Sequence, residues 1–178
     1  MSADMATALD RLISESDIRA VLARYCRGVD RCDLETIRSV YHDDGIDDHG
    51  IFVGRGWDFA EVVVKSHLDD SVMTQHVISS PLIAVTGDVA HVETYCVAYR
   101  WRQKREKELL NSVGGRYVDR FERRAGDWRI AYRIWTRDWG KIDVVTREFP
   151  REGFNNATRD RDDAAFLPVE LIGPGWRR

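Results

Sequence analysis

Several shortages in this sequence each remove a class of protein. Cysteine occurs only three times, at Cys26, Cys32 and Cys96, with no spacing that would hold a metal. An odd count without a signal-peptide pattern leads to the expectation of reduced thiols and a cytoplasmic location. No apolar run approaches the roughly 20 residues needed to span a bilayer, so no membrane contact is expected. Positive charge is not in excess: 27 Lys and Arg stand against 30 Asp and Glu, for a net charge of −3. With no basic cluster carrying interleaved aromatics, a nucleic-acid partner is not expected either. There is no internal repeat, and no linker long enough to separate domains. Proline is scarce, and Pro150, Pro168 and Pro174 fall late, where apolar patterning also stops. The expected layout is a disordered N-terminus over 1–13, one domain over 14–142, and an extended tail over 143–178 packed on it.

What the chain does have is a long alternating stretch, Ser112–Trp139. Tyr117, Asp119 and Phe121 alternate with Arg116, Val118 and Arg120 until Ala125-Gly126-Asp127 breaks the run. Trp128, Ile130, Tyr132 and Ile134 then alternate with Arg129, Ala131, Arg133 and Trp135. Period two, aromatic and β-branched residues and a Gly-Asp turn predict a hairpin with long arms. Upstream, Met73–Thr86, a Gly87-Asp88 turn and Val89–Arg102 predict a second antiparallel pair, with a loop over Gln103–Glu108.

The N-terminal third reads as helical. Ile18, Val21, Leu22, Tyr25 and Val29 recur at helical spacing behind a serine cap at Ser14 or Ser16. Asp30 falls where that helix should stop, and Asp33 caps a second helix carrying Leu34, Ile37, Val40 and Tyr41 inward. Asp58–Ser71 is a third, with Phe59, Val62, Val63 and Ser66 toward the core. Helices segregated to one face of an antiparallel sheet make the class α+β. Between the second and third helices, His42, Asp43, Asp44, Asp47, Asp48 and His49 invite a metal reading. Their spacing matches no recognised loop, and a solvated acidic turn is the reading preferred.

A helix ending in Tyr25-x4-Asp30, a strand carrying Thr74-x-His76 and the hairpin GGRYVDRFERR-x-GDWRI-x-x-R together resemble the SnoaL-like branch of the nuclear-transport-factor-2-like superfamily. The pattern, from about Ser14 to Arg161, is similar to scytalone dehydratase, hexachlorocyclohexane dehydrochlorinase and bile-acid 7α-dehydratase. The resemblance implies a cone: a curved sheet around one long helix, with an apolar pocket for a small hydrophobic molecule. It implies that Asp30 orients His76, and that His76 abstracts a proton without cofactor or metal. Tyr25 then matches a substrate-binding tyrosine and Arg133 a pocket arginine facing a departing anion, although strand phase leaves the direction of Arg133 open. A neutral imidazole suits general-base work near neutral pH, and a carboxylate on its second nitrogen fixes the tautomer. The pattern departs from the dehydratases on the next strand. Tyr99 or Trp101 stands where a second histidine would be, and His91 and Glu93 lie at other offsets.

The function implied is a cofactor-independent lyase or isomerase acting on a small hydrophobic cyclic substrate, as a dehydratase, dehydrohalogenase or ketosteroid-isomerase-like enzyme. The alternative is a non-catalytic binding or assembly subunit, such as a ring-hydroxylating dioxygenase β-like protein. Large residues on both strand faces (Tyr95, Tyr99, Trp101, Trp135 and Trp139) lead to the expectation of a homo-oligomer, dimer or trimer.

Overall fold

The computed structural model describes residues 2–146 and 152–173. The chain divides into two compact units, Met1–Thr146 and Arg147–Arg178. In the smaller unit the Asp163 carboxylate accepts from the backbone N–H of Thr158 and of Ala165, both at 2.9 Å. Two single-turn 3-10 helices follow, Ala164–Phe166 and Val169–Leu171. Of the late prolines, Pro150 and Pro174 lie outside the described residues.

The larger unit opens with α1, Ala3–Arg31. Its start corrects the expectation of disorder over 1–13. Ser2 caps the helix by accepting from Met5 N–H, and Asp10 pairs with Arg123 on the sheet at 2.7 Å. Apolar spacing had missed this segment because Met5, Leu9, Leu12 and Ile13 remain exposed. Further along, Ile18, Val21, Leu22, Tyr25 and Val29 are buried, as their spacing predicted. Each such side chain contributes roughly 1.5–3 kcal/mol by leaving water. Cys32, in the left-handed region at φ 54°, ends the helix, and its N–H returns to the carbonyls of Gly28 and Val29. Gly28 has a packing reason: a Cβ there would meet Ile37 of α2, Leu34–Ser39. Asp33 caps α2 by accepting from Thr36 N–H.

Next come β1, Tyr41–Asp48, β2, Val53–Arg55, and α3, Gly56–Asp70. In α3, Phe59, Ala60 and His67 are buried. Val62 is half exposed rather than inward, because the buried face is set by the contact with Tyr41, which lies against Gly56. The expected strand Met73–Thr86 is two strands, β3, Ser71–Ile78, and β4, Leu82–Thr86. The break comes just before Pro81, which has no N–H to give a ladder. Both pair antiparallel with β5, Val89–Lys104. β6, Lys107–Arg124, and β7, Asp127–Val144, form the predicted hairpin, with Ala125 at φ 52° and Gly126 at φ 91° as its two-residue turn. The loop expected over Gln103–Glu108 is a tight turn instead, and both strands continue into it.

The sheet runs β2-β1-β7-β6-β5-β3, with β4 also on β5. It is mixed, not wholly antiparallel: β1 pairs parallel with β7, placing Asp47 beside Arg133. Alternation reports which face a side chain takes and says nothing of strand direction. No short turn joins β1 to β7, so nothing local forces them antiparallel. Register shifts at Gly114/Gly115 and at Arg120/Phe121 bend the long strands. At the first, a Cβ on Gly115 would run into the Thr136 carbonyl, and one on Gly114 into the Trp139 ring. The sheet stays open and curls over α1, whose apolar face packs with Val92, Phe121 and Ile130.

Candidate functional site

The last turn of α1 reaches the edge strand β3 through one residue. Asp30 Oδ1 lies 2.7 Å from His76 Nδ1, and Oδ2 accepts from the His76 backbone N–H at 3.0 Å. The Thr74 hydroxyl donates to the Asp30 carbonyl at 3.4 Å. A carboxylate near a helix C-terminus is disfavoured by the dipole. The two donors of His76 offset that, and they satisfy an edge-strand N–H at the same time. Because a carboxylate only accepts, Nδ1 carries the proton and Nε2 is left as the basic nitrogen. Nε2 bonds to no described residue, and the ring is 12% exposed. Asp30 and His76, 46 residues apart, are thus brought together as the family resemblance implies.

Arg133 turns inward and is fully buried. Its Nε and Nη2 each donate to Asp119 at 2.8 Å, a bidentate pair on neighbouring strands. The guanidinium lies over Tyr117 at 4.0 Å and over Tyr25 at 4.2 Å. Burial pushes the Asp119 carboxyl up, and the charge of Arg133 pulls it back. For Arg133, burial is the largest influence and opposes the charge, but the attraction and hydrogen bonds of Asp119 together with Tyr41 and Tyr25 outweigh it, and the group stays protonated. Most of the guanidinium is therefore spent inside the protein. Among the described residues only Nη1 of this group finds no hydrogen-bond partner.

Tyr25 is buried edge-on to Tyr41 and Tyr117, with ring centroids 6.3 and 5.5 Å away. Burial raises its phenol above the ordinary value against the pull of Arg133, so it is a neutral hydroxyl. Cys26 is equally unreactive: burial pushes its thiol up to about 12, so it carries no thiolate at neutral pH.

The acidic stretch is the chief departure. Asp47 is fully buried, not solvated, and accepts from the Tyr41 hydroxyl at 2.6 Å. It also hydrogen-bonds His49 Nδ1. The His49 ring stacks on Phe59 at 4.4 Å and lies parallel to Trp135 at 6.1 Å, both at 18°. Asp47, His49, Asp119 and Tyr117 therefore gather around Tyr25 and Arg133, whereas the sequence reading weighed Asp47 and His49 only as metal ligands and Asp119 and Tyr117 only as strand positions. Alternation gave no clean signal for Asp47, because the register of β1 shifts between Tyr41 and Ile46 and Asp43, of the same phase, is exposed. Among the described residues no cluster of three or more His, Cys, Asp or Glu could hold a metal. On β5, His91 and Tyr99 are exposed, and Glu93 is 3.5 Å from Arg116. Trp135 lies on the inner side, packed against the core, so it is not one of the outer-face aromatics.

A curved open sheet wrapped around one long helix defines a class of small cone-shaped α+β proteins. The chain belongs to the SnoaL-like domain family, which matches residues 10–134, within the nuclear-transport-factor-2-like superfamily. Among solved structures it is similar to hexachlorocyclohexane dehydrochlorinase type 3 from Novosphingobium barchaimii, at 19% identity and TM-score 0.70, covering 80% of this chain and 99% of that one. A scytalone dehydratase-like protein from Novosphingobium aromaticivorans shares 18% identity at TM-score 0.66, covering 80% and 95%. From the same organism, a beta subunit assigned to an aromatic-ring-hydroxylating dioxygenase shares 22% at TM-score 0.60, covering 72% and 92%. No curated protein sequence matches the chain.

Proposed function

We propose that the protein is a cofactor-free lyase or isomerase acting on a small hydrophobic cyclic substrate, with His76 as general base and Asp30 as its orienter. One observation carries this reading: the 2.7 Å contact that ties Nδ1 to Asp30 and leaves Nε2 without a partner among the described residues. A binding module has no need to hold an imidazole in one tautomer. Proton removal at carbon would create an imidazolium at His76, which the adjacent carboxylate stabilises in partly dry surroundings. Tyr25 offers a neutral hydroxyl for binding. Arg133 contributes a positive field from beneath, with Nη1 as its nitrogen without a partner among the described residues. Dehydration, dehydrohalogenation and isomerisation all begin with this step. They are distinguished by incubating the protein in D₂O with cyclic β-hydroxyketones, halocyclohexanes and cyclic enones. Deuterium incorporation and release of water or halide are read by NMR. Turnover that survives in His76→Ala, or no turnover of any class, would sink the enzyme reading.

Assembly into a dimer or trimer belongs to the same proposal. Tyr95, Tyr99 and Trp139 are exposed, and Tyr99 and Trp101 line a shallow groove of about 290 Å³ with Met73, Gln75 and Leu110. Exposed aromatic area on a sheet face favours association. A monomer by light scattering at micromolar concentration counts against it. Three free cysteines support a cytoplasmic setting.

A further inference from the structure

We infer that His49 is a second substrate-contacting histidine, the acid that complements the base His76. The inference deepens the functional reading above and rests on it. Removing a proton from carbon solves half of an elimination, because a departing hydroxide needs a proton of its own. The strand next to β3 does not supply the donor: His91 is exposed, and Glu93 is engaged with Arg116.

His49 has the build of such a group. It follows β1 directly, and its Nδ1 is held by Asp47, which is itself fixed by the Tyr41 hydroxyl. Asp47 has no exposed surface, so this Tyr–Asp–His chain is buried at its base, while the imidazole at its end keeps 17% exposure. With Nδ1 committed, Nε2 is the nitrogen that can meet a ligand, as at His76. Phe59, Trp135 and Tyr117 surround the ring. Tyr117 runs on from there toward Cys96, with 3.8 Å between its hydroxyl and the Cys96 Sγ. Cys96 is the cross-strand neighbour of Ile78, two residues beyond His76. Both histidines therefore stand on one aromatic-lined concave face.

The Thr94 hydroxyl and Arg133 Nη1, buried on that same face, have no hydrogen-bond partner among the described residues. The ligand these groups suit is a flat cyclic molecule with an acidic C–H at one end and a hydroxyl or carbonyl oxygen toward the other. In a dehydration, His76 Nε2 takes the proton from carbon, and the C–H electron pair becomes the new C=C bond as the C–O bond breaks. The leaving oxygen takes the proton from protonated His49 Nε2 and departs as water. His76 ends protonated and His49 neutral, and exchange with solvent restores both.

The test uses 1-naphthol as a planar hydroxyl probe and naphthalene as its control, with the intact chain. Long-range ¹H–¹⁵N spectra of the histidine rings should show the His49 resonances moving when 1-naphthol binds. His49→Gln should weaken 1-naphthol at least about tenfold and naphthalene less than twofold. Where hydroxyl and halide substrates both turn over, His49→Gln should slow hydroxide expulsion about 100-fold and halide expulsion far less. Still His49 signals while 1-naphthol binds, equal affinity in the variant, or binding of neither probe would overturn the inference. The spectra of the wild-type chain need no variant to fold. They also need no turnover, so the His49 assignment can fail while His76 stands, and the reverse.

Discussion

Asp30 with His76 and Asp119 with Arg133 are both carboxylate-centred pairs, yet they differ in what they leave over. The first joins a helix end to an edge strand, keeps 14% and 12% exposure, and leaves one ring nitrogen without a partner among the described residues. The second sits between neighbouring strands at 0% exposure on both sides, and two of its guanidinium nitrogens are consumed. Position in the curled sheet explains the difference. Arg133 and Asp119 are cross-strand neighbours beneath Tyr25 and Tyr117, where no water competes. His76 is on the strand at the sheet's edge, where the sheet opens. A charge pair that is bidentate and wholly buried maintains a fold, whereas one that leaves a ring nitrogen toward the open edge of the sheet is equipped for chemistry.

The sharpest way to break that contrast is Arg133→Ala. It strands Asp119 beside Asp47 in a dry interior and should cost about 3–5 kcal/mol, lowering the melting temperature by roughly 10 °C in calorimetry. Removing both charges, as Arg133→Met with Asp119→Leu, should cost less than the single change. A loss under about 1 kcal/mol for Arg133→Ala would mean that the pair does not hold the fold.

Asp70 offers an intermediate case, since it binds Arg102 and Arg100 at 28% exposure. The hydrogen bond from Arg102, with help from Arg100, holds its carboxyl below the ordinary 3.8. A lowered folded value gives stability that is present above 3.8 and lost as pH falls through that lower value. Asp70→Asn should therefore cost about 1–2 kcal/mol at pH 7 and almost nothing in strong acid. Urea melts at the two pH values check this.

For the open pair the expectation reverses. His76→Ala should shift stability by less than about 1 kcal/mol, because the backbone N–H still reaches Asp30, yet it should abolish turnover. Asp30→Asn should cost activity by several powers of ten, because the amide presents a donor and spoils the tautomer. Smallest of all, and far from both pairs, Ala125→Gly relieves a left-handed residue in the β6–β7 turn. It should gain about 0.5 kcal/mol, read as a small upward shift in melting temperature.

How much of this was legible in the sequence depends on the range of the interaction. The hairpin arms were visible because alternation is local, and so was the buried stripe of α1. The contact of Asp30 with His76 is not local, and only resemblance linked the two. Arg133 could be placed only to within its phase, which it shares with Trp135; both turn inward. Asp47 and His49 were misread because acidic residues crowd that stretch, and the register shift between Tyr41 and Ile46 breaks the alternation that would have placed them. The parallel pairing of β1 with β7 left no mark at all, since strand direction is set by tertiary packing.

The two-handed grip of Asp30 has a consequence for the cost of reaching a reactive state. One oxygen holds the ring of His76 and the other its backbone, so neither the carboxylate nor the imidazole is free to sample rotamers. Freezing rotamer-rich side chains costs of order 0.5–1.5 kcal/mol apiece when it happens on binding. Here that entropy is surrendered once, during folding, and every later encounter with a ligand begins from an imidazole already aimed.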